Sequence, residues 1–466
     1  MRNKKIINIL FFILFFNIGN LLSQWKTEAQ FPDNITLFYV NAVDTGIAWT
    51  IGTSSLYQLD TPFIAIRKPG TAGWKALYYG DMDLPAGAIY HCIKGLSDSV
   101  ALVGNYNGQV FLTSNAGNNW VLKIDAGQSS FINDIKFSRQ NKNIGFVFCD
   151  PPSGPGGNFE IYKTTDGGFN WSLSTPNFGS GLVGAEYSSC VTDSNHAWYG
   201  LYCYNYSQCT SGIKIAYTND GGFNWMTTPA LAPNSESFSS LCFRDDNIFG
   251  LSSFIFWGAQ NIINLYSSTN SGSSWTILQN LYQSGYPVLA INWIPDTRIW
   301  YYICGPLNPV INYVFKTKND GSNWYTMSRD NEDGQLNYLD AIRCNDKIYA
   351  WASSYDGRVF KLIDTAEPIG IKRNGENSPA SFSLHQNFPN PFNPVTTIKY
   401  DLPKDSKITL KVFDLLGKEV ATLVNENKHA GYYETVFNGN NLASGVYFYK
   451  LAAGDFVNVK KMVLVK

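Results

Sequence analysis

One eight-residue pattern recurs along the chain, and a repeat of this kind constrains the fold more than any other feature of the sequence. It reads hydroxyl, any, Asp or Asn, any, Gly, any, any, Trp. It occurs as Thr113, Asn115, Gly117, Trp120 and again as Thr164, Asp166, Gly168, Trp171. Thr218, Asp220, Gly222, Trp225 follow, then Ser268, Asn270, Gly272, Trp275, then Thr317, Asn319, Gly321, Trp324. A degenerate copy ends at Trp74, and successive Trp spacings are 46, 51, 54, 50 and 49 residues. The chemistry of each copy is that of a tight turn. Asp or Asn bonds neighbouring backbone, the hydroxyl bonds within the same loop, and Gly supplies positive φ. Trp then opens the next strand and buries a large apolar surface. Strands such as Gly108-Gln109-Val110-Phe111-Leu112 precede the boxes, so each box is a hairpin turn.

A repeat this long predicts a radial array of four-stranded units. The segment 340–364 has strands of the same kind, including Lys347-Ile348-Tyr349-Ala350-Trp351, but no box and no last strand. Gln24-Trp25-Lys26-Thr27 matches the missing strand, and Trp25 precedes Trp74 by 49 residues, one period. The N-terminal strand is therefore expected to complete the last unit, which removes the exposed sheet edges. That count gives seven blades; six or eight follow if Trp25 or Trp74 is misassigned. The boxes resemble the Asp box of the sialidase-like, or BNR, propeller families. The resemblance implies an all-β, seven-bladed β-propeller over residues 24–364. In those families the boxes sit at the outer hairpins, away from the central site. Asn115, Asp166, Asp220, Asn270 and Asn319 are accordingly expected to be structural rather than catalytic.

Residues 365–380 read as a linker, with Pro368, Gly370, Gly375 and Pro379. Short alternating strands over 381–466 suit a small Ig-like β-sandwich. This region opens on Gln386-Asn387-Phe388-Pro389-Asn390-Pro391-Phe392-Asn393-Pro394. It continues with Leu442-Ala443-Ser444-Gly445-Val446-Tyr447-Phe448-Tyr449 and closes on Lys460-Lys461-Met462. Those motifs resemble the type A C-terminal sorting domain of the type IX secretion system. The resemblance implies a Bacteroidetes-type host, recognition by the type IX machinery, and a secreted or cell-surface protein. The N-terminus agrees. Arg2, Lys4 and Lys5 precede a largely apolar run over Ile6–Ile18, and Ser23 is a small residue before a cleavage site, so residues 1–23 read as a signal peptide. That run is too short to span a bilayer, and no later segment is long enough, so no membrane span is expected after cleavage.

Composition excludes several classes of function. With 35 basic and 36 acidic residues, nucleic acid is not an expected partner. The eight cysteines all precede the linker, and none has zinc-ligand spacing. Cys203 and Cys209 bracket a short loop and are a possible disulfide in an oxidising compartment. Cys92, Cys190, Cys242 and Cys344 share one blade position, Cys149, Cys203 and Cys304 another; matched positions are expected to be spread round the ring, so that most of these are buried free thiols. Of the four histidines, His385 and His429 fall in the sorting domain. His91 and His196 give little material for a Ser-His-Asp triad or a metal site, and no cofactor is expected.

Two functions follow. The favoured one is a non-catalytic binding module for glycan or protein. Its expected face carries the loops 150–158, 202–212, 254–261 and 304–312, with Asp150, Tyr204, Tyr206 and Trp257 as binding candidates. The alternative is an extracellular glycoside hydrolase. A sialidase site needs clustered arginines, from Arg67, Arg139, Arg244, Arg298, Arg329, Arg343 or Arg358. Arg67-Lys68-Pro69 departs from the Arg-Ile-Pro of that family. A two-carboxylate site would draw on Asp150, Glu186, Glu332 or Asp340.

Overall fold

The computed structural model describes residues 25–465, apart from 56–60, 72, 205–211, 232–235, 257–261, 284, 307–311, 331–333, 367–380, 388, 405 and 429–430. All regular structure among them is β-strand, and the chain divides into two compact units, Met1–Ile369 and Gly370–Lys466. This is the all-β class expected from the repeats.

The first unit holds seven four-stranded antiparallel sheets among the described residues. Their first strands are Ile35–Asp44, Tyr90–Gly95, Ile132–Phe137, Leu182–Val191, Glu236–Phe243, Gly285–Trp293 and Leu336–Cys344. Each first strand packs on that of the next sheet, and the seventh packs on the first, so these strands line the axis of a closed ring. We number the sheets one to seven in that order. This is a β-propeller built from the repeat unit.

Each box closes the hairpin between the third and fourth strands of its sheet. In the third sheet, Thr164 Oγ1 donates to Asp166 Oδ1 at 2.8 Å and accepts Gly168 N–H at 2.9 Å. Asn170 N–H reaches Asp166 Oδ1 at 3.0 Å, and Trp171 Nε1 reaches Gly168 O at 2.9 Å. Gly168 has φ of 91°, which only glycine adopts without strain. The bonds of the hydroxyl and of the carboxyl or amide recur around Asn115, Asp220, Asn270 and Asn319, and the indole bond recurs at Trp120 and Trp275. The box hairpins also bond back to the turn between strands one and two of their own sheet, as Ala116 N to Ser99 O at 2.8 Å and Gly167 N to Asn143 O at 3.0 Å. The boxes and these turns therefore mark one end of the ring.

Lys26–Gln30 supplies the outer strand of the seventh sheet, pairing antiparallel with Arg358–Thr365. Trp25 is fully buried, and its backbone bonds Ser328 O at 3.0 Å and Asp330 N at 2.9 Å. Closure of the ring thus joins strands more than three hundred positions apart in sequence.

In the second unit, a sheet of Ser383–Leu384, Val395–Leu402 and Gly431–Asn438 accompanies one of Glu419–Lys428, Ser406–Phe413, Gly445–Ala453 and Phe456–Leu464. Both contribute to one apolar core, including Ile398, Leu410, Tyr449 and Met462. The opening motif clasps this core. Buried Asn387 donates from Nδ2 to Pro389 O at 3.1 Å and to Thr396 Oγ1 at 3.0 Å, and its N–H reaches Tyr449 Oη at 2.8 Å.

Candidate functional site

The inner strands of the ring carry a group of buried polar residues, among them Asn41, His91, Asn133, Asp134, Ser189, Ser240 and Asn337. The axis they surround is plugged by aromatic rings. Tyr39 stacks on Tyr338 at 3.8 Å between centroids, and Tyr187 lies 5.4 and 5.6 Å from them. Lys136 Nζ donates to Tyr39 Oη at 2.6 Å and Tyr338 Oη at 2.9 Å, and stands 3.4 Å from the buried Asp134 carboxylate. Burial acts to lower the Lys136 ammonium, but Asp134 and Tyr338 outweigh it and raise it above the ordinary lysine value.

On the box side of this plug lies a cavity of about 460 Å³. Its walls are the ends of the inner strands and the turns that follow them, and Lys94, Asn41, Asn292, Asp340, Arg139 and Arg343 supply its polar groups. Asp340 is already satisfied by Asn41 Nδ2 at 2.6 Å, Asn292 Nδ2 at 2.8 Å and Ala42 N–H at 2.9 Å. Arg139 pairs with Asp245 at 2.9 Å and Arg343 with Asp296 at 3.3 Å. Exposed Lys142 and half-buried Lys94 differ, with no hydrogen bond or ion pair to either among the described residues, and of the two Lys94 is the more buried. Burial lowers the Lys94 ammonium to about 8, against the pull of Asp340 and Asp134 and with the push of Lys136 and Lys142.

The cavity lies at the opposite end from the loops that sequence reading favoured. The reason is the plug: tyrosines from the first, fourth and seventh sheets meet on the axis, which no single repeat reveals. Among the earlier candidates, Tyr204 is 67% exposed, whereas Tyr206, Trp257, Cys209 and Glu332 lie outside the described residues, as do residues 1–23 and His429. Cys203 is disulfide-bonded. The seven arginines do not converge. Arg67 binds Glu28, Arg244 and Arg298 meet at Asp320, Arg358 meets Asp356, Arg329 donates to Asn312 O, and only Arg139 and Arg343 share the cavity.

Beyond the plug, two partly enclosed carboxyls, Glu186 and Asp150, hold raised pKa values, and the Asp150 charge acts on Glu186. In the inner strand Leu182–Val191 the pairing jumps from Gly184 to Ser189, and the bulge carries Glu186 and Tyr187 toward the axis. Tyr187 has φ of 55°, a strained value for an aromatic residue. Glu186 keeps an exposed surface while protein surrounds most of it, as in the mouth of a channel. Burial, then the Asp150 charge, raises Glu186 to about 7, against a hydrogen bond from Tyr106. Burial raises Asp150 to about 6, although Gly184 N–H at 2.7 Å and Asn133 Nδ2 at 2.9 Å both bond its Oδ1. His91 is buried beside Tyr106 and Phe131, and burial pushes it down to about 3, so it is neutral. His196 bonds Asp193 at 2.9 Å in a turn.

One expectation about cysteine fails in part. Cys190 and Cys242 are buried free thiols, but they occupy matched positions on consecutive inner strands and are not spread apart: their Sγ atoms stand 3.9 and 3.7 Å from the same carbonyl, Phe243 O. Inner strands converge on the axis, so matched positions there are neighbours. Cys92, Cys149 and Cys304 are buried free thiols and Cys344 is an exposed one.

Residues 386–466 match the family described as the secretion system C-terminal sorting domain. The second unit is a sorting domain. It directs export by the type IX secretion machinery, and the protein is secreted or held at the cell surface. No curated protein matches the chain in sequence. Solved structures similar to it include YCF48 bound to D1 peptide, at 14% identity and TM-score 0.48, covering 73% of this chain and 95% of that one. YCF48 from Cyanidioschyzon merolae is similar at 14% identity and TM-score 0.47, covering 73% and 98%. No helix among the described residues is long and apolar enough to cross a membrane.

Proposed function

We propose that the exported cargo is a seven-bladed, Asp-box propeller that acts as a binding module. On this reading the N-terminal segment is a signal peptide, the sorting domain is Ig-like, and the box cavity takes an acidic group from a glycan or a protein. One observation carries it: Lys94 presents a half-buried ammonium without a bonding partner to a preformed cavity whose other charged groups, exposed Lys142 apart, are already paired or bonded. An anion there would gain a charge-assisted hydrogen bond in a partly desolvated site. Arrays of neutral and carboxylated glycans and of acidic peptides test this. Acidic ligands should bind, and Lys94→Gln should lose them while keeping the wild-type unfolding midpoint. Binding confined to neutral ligands, or unchanged in Lys94→Gln, would exclude the cavity.

A second reading, glycoside hydrolysis, is favoured by the Glu186–Asp150 pair. A glutamate raised to about 7 suits a general acid. The absence of an arginine cluster among the described residues argues against sialic acid as the substrate. Hydrolysis of aryl glycosides abolished by Glu186→Gln would establish this reading; no turnover across a panel of sugars would dismiss it.

A further inference from the structure

At three joints of the ring, a side-chain oxygen of one inner strand accepts a backbone N–H of the next. Asn41 Oδ1 takes Gly95 at 2.9 Å, Ser240 Oγ takes Ile291 at 3.0 Å, and Asp340 Oδ2 takes Ala42 at 2.9 Å. Between the fourth and fifth sheets the acceptor is sulfur: Cys190 Sγ takes Phe243 N–H at 3.2 Å. Cys242 lies beside it, and both thiols face Phe243 O, at 3.9 Å from Cys190 and 3.7 Å from Cys242. Arg139 reaches into the same place, with Nη1 3.9 Å from Cys242 Sγ and Nη2 bonded to Phe243 O at 2.5 Å. Cys190, Cys242 and Arg139 all line the cavity, so a solute that enters it meets both sulfurs. The sorting domain marks a protein that ends outside the cytoplasm, where thiols are kept reduced, in a compartment where disulfides persist.

We propose that Cys190 and Cys242 form a redox-active pair that closes to a disulfide across the joint between the fourth and fifth sheets once the protein is exported. The oxidant is a disulfide, either of a small thiol or of an envelope thiol oxidase. Cys190 attacks first. The Cys242 thiol donates to it and Arg139 lies close, and together they hold Cys190 below the ordinary thiol range, whereas Cys242 is pushed up. Attack breaks the oxidant's S–S bond, forms a mixed disulfide on Cys190 and releases one thiolate. Cys242 then gives up its proton and attacks Cys190 Sγ, forming the Cys190–Cys242 bond and releasing the second thiolate. The two protons lost by the cysteines end on the two released thiols, so the oxidant is reduced by two electrons and the pair is oxidised by two. Sulfur at this joint thus permits a covalent staple at the axis, which the oxygen acceptors elsewhere do not.

Mapping after native oxidation tests the pair. The folded full chain is incubated with oxidised glutathione, then denatured in an alkylating agent, digested and analysed by mass spectrometry. The expected result is a peptide joining Cys190 to Cys242, reversed by dithiothreitol, with Cys92, Cys149 and Cys304 still alkylated. In Cys242→Ser the second step is removed, and glutathione should accumulate on Cys190 from a trace to the major form. Wild-type protein in which both thiols remain fully alkylatable overturns the proposal. So does wild-type protein in which glutathione stays on Cys190 without closure. Both results are read on wild-type protein, so poor folding of the variant does not obscure them.

Discussion

Glu28 joins the two ends of the ring, and removing it should open them. Its carboxylate, 17% exposed, accepts Arg67 Nε at 2.7 Å, Trp74 Nε1 at 3.1 Å and Trp351 Nε1 at 2.9 Å, and stands 3.2 Å from Lys361 Nζ. Arg67 and Trp74 belong to the first sheet, Trp351 and Lys361 to the seventh. Glu28→Ala leaves two indole N–H groups and two cations without their shared acceptor. A hydrogen bond to a charged group contributes about 1.5–3 kcal/mol, and breaking a buried ion pair costs about 3–5 kcal/mol. Water can reach part of this site and recovers some of that loss, so we expect a destabilisation of about 3 kcal/mol. Glu28→Gln keeps the shape and one oxygen and should cost about 1–2 kcal/mol. All 13 tryptophans precede residue 352, so tryptophan fluorescence in urea reports on the propeller alone. The pH dependence is a second check. Burial raises the Glu28 carboxyl, but Trp351, Lys361 and Arg67 outweigh it and hold it below its usual 4.5. A carboxyl with a depressed folded value contributes stability above its unfolded value, and that contribution disappears as pH falls through the folded one. The gap between wild type and Glu28→Gln should therefore be constant at neutral pH and shrink below 4.5. A loss under about 1 kcal/mol in Glu28→Ala, the range of a surface ion pair, would refute the closure role.

Three further outcomes follow from the same geometry. Lys94 is charged below about 8, and the neighbouring Asp340, Asp134, Lys136 and Lys142 set that value, so calorimetry should show anion affinity flat below it and falling up to tenfold per pH unit above. Glu186 is raised to about 7 from 4.5, so the neutral form is the stable one; stability it contributes below 4.5 is lost as pH rises toward 7, and Glu186→Gln should raise the melting temperature at neutral pH but not at pH 4. Exposure of this side chain limits that gain to under about 1 kcal/mol. Thr164→Val removes the donor to Asp166 and the acceptor of Gly168 N–H from one box, and equilibrium unfolding should show a loss of about 1–3 kcal/mol.

The parts of this molecule that were legible in sequence are those whose physics is local. A box is complete within eight residues: hydroxyl, carboxyl or amide and glycine bond one another, with the indole joining them at Trp120, Trp171 and Trp275, so the pattern survives in one dimension. Closure was legible for a related reason, because Trp25 stands one period before Trp74 and the last repeat lacked a strand. The sorting motifs are similar, since Asn387 reaches Pro389 and Thr396 close by in the chain. The axis obeys a different geometry. Lys94 lies on a mostly buried inner strand, and only the assembled ring shows that it faces a cavity. The plug needs Tyr39, Tyr187 and Tyr338 from three sheets, and Tyr187 enters it through a bulge that its own sequence does not announce. Cysteines 190 and 242 show the rule most clearly. Their separation of 52 residues is one repeat, which at the rim would keep them apart and at the axis brings both to one carbonyl, Phe243 O. In a radial fold the same spacing therefore means distance or contact according to which strand carries it. A search for paired chemistry in such chains belongs on the first strand of each repeat, taken one period apart.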